Sequence, residues 1–201
     1  MITSNFPAQA VGWVAIATGI AGLLGLAFII LFFTTRGRPF GTLNDICIGL
    51  AATLSAVLAW MLFPQFHALS PQLSRVALVA ALAGALVVVV GSVLVISRVT
   101  GWYLAGLYMS AGNALLGLWL LGLSYSARQG HAWPQSLIVF GLVVGVIMAL
   151  GLAAIPGIFR RIDSWDAAPW YVNYVGQAGG LGWLVSYPIW CLWLGRVLWP
   201  I

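Results

Sequence analysis

The chain contains no lysine and no glutamate, and only three aspartates, two cysteines and two histidines among 201 residues. Each scarcity removes a class of chemistry. Without lysine there is no phosphate-binding loop of the Walker type, no Schiff base to retinal or pyridoxal phosphate, and no Ser-Lys dyad. Without glutamate the commonest intramembrane proton carrier is missing. The histidines, His67 and His131, fall in or beside connections, whereas a bis-imidazole haem needs two ligands on facing helices. Gly-x-Ser-x-Gly and His-Glu-x-x-His are both absent. The serine of "SAGNALLG" has no histidine in another apolar segment to activate it. The expectation is a protein that is not an enzyme, with no cofactor and no metal site. Cys47 and Cys191 are expected as separate reduced thiols.

What is present is apolar. Hydrophobic residues make up 63% of the chain and charged residues 5%, against about a quarter charged in a soluble domain. Lipid must be the solvent for most of it. A bilayer-spanning helix takes about 20 apolar residues. Six such stretches occur, at about 11–34, 45–66, 75–97, 102–124, 135–156 and 176–198. The fold class predicted is an all-α integral membrane protein, a six-transmembrane-helix bundle forming one domain. Trp13, Trp102, Trp133, Trp165, Trp170 and Trp199 fall at or beside span ends, where an indole sits at the headgroup level. The opening "MITSNFPAQA" has no basic stretch, so no cleavable signal peptide is expected.

Six spans put both termini on one side. The opposite loops carry Arg36, Arg38, Arg98, Arg160 and Arg161, and the terminal side carries Arg75, Arg128 and Arg196. Five against three places both termini outside. The net charge of +5 therefore reads as a topology signal and not as a nucleic-acid footprint. The phrases "FGTLND" and "YPIWCLWLGR" resemble those of small bacterial membrane proteins, which implies a bacterial plasma membrane and no particular function.

"GLAATLSAVLAWMLFP" at 49–64 is echoed by "GLVVGVIMALGLAAIP" at 141–156, with four identities in sixteen positions. Gly12-Trp13 is echoed by Gly101-Trp102, and Arg98-Val99 by Arg196-Val197. These echoes lie 89, 92 and 98 residues apart, in chain order. Three spans per unit is odd, so two tandem units over 11–98 and 101–198 would be inverted in the membrane, a plan common in transporters.

The polar residues within the spans are few enough to name. Asn113 lies near the middle of the fourth span, where an unpaired amide is costly. Gly106, Ser110, Asn113 and Gly117 share one helix face, suited either to close helix packing or to a polar patch in a binding site. Asn44-Asp45 opens the second span, where Thr42 or Asn44 would cap the helix and Asp45 would suit its dipole. The alternative is a cation or proton site at the mouth of a pathway, Asp45 being the only acidic residue this close to a membrane core. Gln177 enters a sixth span rich in glycine and bent at Pro188, which lacks an amide hydrogen. Gly141, Gly145, Ala149 and Ala153 form a small-residue packing stripe. The connection "FRRIDSWDAAPWYVNYVGQAGG" reads as an aromatic segment in the interface.

The ligand-binding residues expected are thus Asn113, Ser110, Gln177, Asp45 and Asn44. They suit a permease, channel or substrate-binding transport subunit for a small neutral or apolar solute. The alternative is an accessory subunit of a larger membrane complex, without chemistry of its own. The partners expected are the lipid bilayer and either further copies of the chain or other membrane subunits.

Overall fold

The structure, a computed structural model, describes residues 6–35 and 37–199, apart from the side chain of Arg38. Arg36 and the Arg38 side chain, two of the five arginines assigned to one face, lie outside the described residues. Among those residues all regular structure is helical. Four spans are single helices: α1 (Ala8–Thr35), α2 (Arg38–His67), α3 (Pro71–Ile96) and α4 (Trp102–Gly130). The fifth joins α5 (Gln135–Ala149) through a 3-10 stretch (Leu150–Ala154) to the short α6 (Ile155–Phe159). The sixth joins α7 (Trp170–Leu181) through a π-helical turn (Gly182–Ser186) to α8 (Tyr187–Leu198). All six are long and apolar enough to cross a bilayer, which is the architecture of an integral membrane protein.

Proline sets several helix starts. Pro39 and Pro71 sit in the first turns of α2 and α3, and Pro134 and Pro169 immediately precede α5 and α7. The first turn of a helix has amide hydrogens without partners, so a residue lacking one loses nothing there. Two sequence expectations are corrected on this ground. The second helix starts at Arg38, so Asn44 and Asp45 lie two turns inside it and cap nothing. The sixth span starts at Trp170, so Trp170, Tyr171 and Tyr174 belong to α7 and not to an interfacial connection.

Pro188 perturbs its helix as expected. It cannot donate to the Leu184 carbonyl, and the π turn lies just before it, with the Tyr187 N–H bonding back to the Gly182 carbonyl. The 3-10 stretch precedes Pro156 in the same way, with the Ile155 N–H bonding to the Leu152 carbonyl. Pro64 lies within α2, which runs on to His67.

The helices pack in a ring in chain order, α1 to α5, which α7 and α8 close by packing on the end of the fifth span and on α1 respectively. α4 leans inward. Of its most apolar stretch 67% is buried, against 33% for α1. Small residues let backbones meet. A Cβ on Gly84 would stand 2.6 Å from the Gly112 carbonyl oxygen, and one on Gly112 equally close to that of Gly84. A Cβ on Gly145 would stand 2.9 Å from the Gly117 carbonyl oxygen, so the stripe on the fifth span is a packing surface against α4. Gly19 and Gly22 of α1 make room for Pro188.

The centre is aromatic. Trp183 stacks on Tyr187, which stacks on Trp190, and Trp190 meets the edges of Trp119 and Trp133. Trp133 is 7% exposed and also packs on Phe66. It is therefore a core residue and not the headgroup anchor expected. Trp13, Trp102, Trp165 and Trp170 are exposed. Across the bundle the Tyr187 hydroxyl donates to Ser55 Oγ at 2.8 Å, and Ser55 donates to the Ala51 carbonyl.

The glycine contacts predict opposite responses to one added methyl group. Gly84→Ala should cost about 1–3 kcal/mol by overpacking. Gly106→Ala, whose Cβ would meet nothing within 4 Å, should be neutral or stabilising by up to about 1 kcal/mol through helix propensity. Unfolding of both variants in mixed micelles of rising denaturing-detergent content measures the difference.

Candidate functional site

A cavity of about 320 Å³ lies between a wall made by α1 and α2 and a wall made by α4, α7 and the π turn. It is lined near the end where α1 turns into α2 and α4 begins. Most of its surface is apolar, from Leu26, Ile30, Ile48, Leu107, Trp183 and their neighbours. α4 supplies Trp102, Tyr103, Gly106, Ser110 and Asn113, one helix face over three turns, or about 17 Å of axial rise.

All five polar residues singled out in the sequence line this cavity. Asn44 and Asp45 come from α2, Ser110 and Asn113 from α4, and Gln177 from α7. Asn44, Asp45 and Asn113 are buried, at 4%, 5% and 4% exposure, whereas Gln177 is exposed. Asn44 Nδ2 donates to Asp45 Oδ1 at 3.1 Å. The Oδ1 atoms of Asn44 and Asn113 are buried without a hydrogen-bond partner, which is costly in an apolar surround. Ser110 Oγ donates to the Gly176 carbonyl at 3.0 Å, so it ties α4 to α7 while lining the space between them. Gly117, expected on the same face, packs instead on Met148 of α5. The face therefore divides into a cavity section and a packing section.

Glycine keeps the space open. A Cβ added to Gly106 or Gly180, both lining residues, would meet nothing within 4 Å. At the end of the cavity Phe33 of α1 and Trp102 of α4 meet edge to face, with ring centroids 5.8 Å apart. This pair joins the two walls.

Two positioning residues were not singled out as such in the sequence. Asp163, from the connection after α6, accepts the Gly101 N–H at 2.9 Å through Oδ2 and the Leu104 N–H at 3.0 Å through Oδ1. It caps α4 from 62 residues away, and a carboxylate also suits the positive end of the helix dipole. Asn173 accepts the Tyr103 hydroxyl at 2.6 Å and donates to the Trp165 carbonyl at 3.1 Å. The connection, α7 and the cavity-lining Tyr103 are thereby fixed together. The polar residues of the connection were visible as a motif, but their partners could not be read from local spacing.

The chemistry offered is hydrogen bonding, aromatic faces and one carboxylate. Among the described residues no arginine, histidine or cysteine lines the cavity. Among them, too, no three His, Cys, Asp or Glu side chains are grouped as a metal site requires. In comparisons with known proteins no family model, no curated protein and no solved structure matches the chain.

Asp163→Ala should remove the cap and cost about 1 kcal/mol. It should also release the 160–169 connection, visible as faster proteolysis there than in the unmodified protein, while an equal cleavage rate would contradict the capping role.

Proposed function

We propose that the chain is a solute-binding membrane protein, a small permease, channel or substrate-binding transport subunit, that holds its solute between the α1–α2 wall and the α4–α7 wall. The observation that carries this reading is convergence: five polar residues from three different spans line one cavity. Buried polar groups in a membrane segment are expensive and mark function. The volume lies within the range of about 300–1,000 Å³ typical of small-molecule pockets.

The interrupted helices support the same reading. Transport sites in membrane proteins are commonly built beside helices broken at mid-depth, and here the π turn contributes Trp183 and Leu184 to the lining. The two halves of the chain form inverted three-helix units, a reading supported by the ordered sequence echoes. The termini lie outside a bacterial plasma membrane and the cavity opens toward the cytoplasmic face, supported by Arg98, Arg160 and Arg161 on that side.

Gly106→Leu tests the proposal, because its side chain projects into open space without a backbone clash. Native mass spectrometry is applied to the protein and to this variant, each gently extracted from its own membrane. The expected result is a non-lipid small molecule on the unmodified protein and its loss from an equally stable variant. Equal occupancy of the two, or stoichiometric association with other polypeptides and no small molecule, would sink the transport reading.

A further inference from the structure

The polar groups of the cavity are unevenly matched. Asp45 is the only acidic residue within the six spans. It is 5% exposed, and no basic side chain among the described residues lines the cavity with it. Its neighbour Asn44 donates one hydrogen bond to Oδ1, and no other hydrogen bond reaches the carboxylate among the described residues. The deficit is in donors and in positive charge. Aromatic rings line the same cavity, with Phe33 and Trp102 at one end and Trp183 on the π turn. A buried carboxylate left without a counter-charge is strongly destabilising relative to the same carboxylate paired. Aromatic faces attract cations and do so more strongly when desolvated.

We propose that the cavity takes an organic ammonium, a protonated amine on an apolar body, whose N–H groups supply the donors and the positive charge that the Asp45 carboxylate lacks. This rests on the cavity being a solute site, as proposed above, and it replaces the neutral solute suggested by overall composition. Composition averages over the whole chain, whereas the one acidic side chain within the spans is concentrated at this wall. An ammonium carries three donors and no acceptor. An anion would face the Asp45 carboxylate with no compensating cation among the described lining residues. The apolar walls accommodate the body of the ligand, and the space left by Gly106 and Gly180 sets its bulk.

Three probes of nearly equal size test the assignment: 2-phenylethylammonium, 2-phenylethanol and 3-phenylpropanoate. Binding is measured by equilibrium dialysis against the purified full chain in lipid nanodiscs, with empty nanodiscs as the blank. The ammonium should bind at least about ten-fold more tightly than the alcohol, and the carboxylate more weakly than either. Asp45→Asn, which keeps the shape of the side chain, should bring the ammonium to the level of the alcohol and leave the alcohol unchanged. Gly106→Leu should abolish saturable binding of all three. An alcohol that binds as tightly as the ammonium in the unmodified protein would overturn the ammonium assignment and leave the solute site standing. A carboxylate that binds best would do the same. Absence of saturable binding for all three would overturn both this assignment and the solute-site reading. The rank order in the unmodified protein decides the matter even if Asp45→Asn fails to fold.

Discussion

Lipid offers no hydrogen bonds, and the rest of the structure follows from that constraint. Inside a bilayer each backbone N–H and C=O must find its partner in the protein, so the chain is helical wherever it crosses. The exceptions are confined. The 3-10 stretch and the π turn precede Pro156 and Pro188, where the Leu152 carbonyl accepts from the Ile155 N–H and the Gly182 carbonyl from the Tyr187 N–H. Each also lies against protein. The 3-10 stretch packs on α4 and α7, and the π turn on α1 and α5. Irregular backbone at membrane depth is tolerated under those conditions.

The same constraint governs the side chains. Apolar surface gives helices little reason to associate in lipid, so close packing and a few polar contacts must hold them. Glycine serves that need where α3 meets α4 and where α4 meets α5. It serves the opposite need at Gly106 and Gly180, where absent side chains leave space. Both uses occur on α4, which explains why this helix is at once the most buried of the six and the main wall of the cavity. The polar clasps, Ser110 to Gly176 and Tyr103 to Asn173, hold α7 beside that wall. Asp163 fixes the start of α4. The cavity is thus kept open by small residues and held in shape by a few hydrogen bonds.

Much of this was legible in the sequence because lipid makes polar residues conspicuous. Asn113, Asp45 and Gln177 stand out in apolar runs, and the structure brings them to one cavity. Helix starts were less legible. Hydropathy marks where a span becomes apolar, not where the helix begins, so the apolar runs starting near 45 and 176 leave out the first turns of α2 and α7, which Pro39 and Pro169 mark. An indole at a span end looks the same in sequence whether it faces headgroups or turns inward, as Trp133 does onto Phe66 and Trp190. The cap by Asp163 was invisible for another reason. A contact across 62 residues depends on how two connections meet at one end of the bundle, and spacing along the chain carries no trace of it.

The central claim is a solute-accessible space inside the spans, and the most direct measurement is cysteine accessibility in intact membranes. Gly106→Cys and Gly180→Cys, made with Cys47 replaced by alanine, are exposed to a charged, membrane-impermeant maleimide on either side of the membrane. Val79→Cys, whose position is exposed on the outer face of α3, serves as the lipid-facing control. The account predicts labelling of positions 106 and 180 from the α1–α2 turn side, with position 79 unreactive from both sides. Positions 106 and 180 as unreactive as position 79 would contradict it.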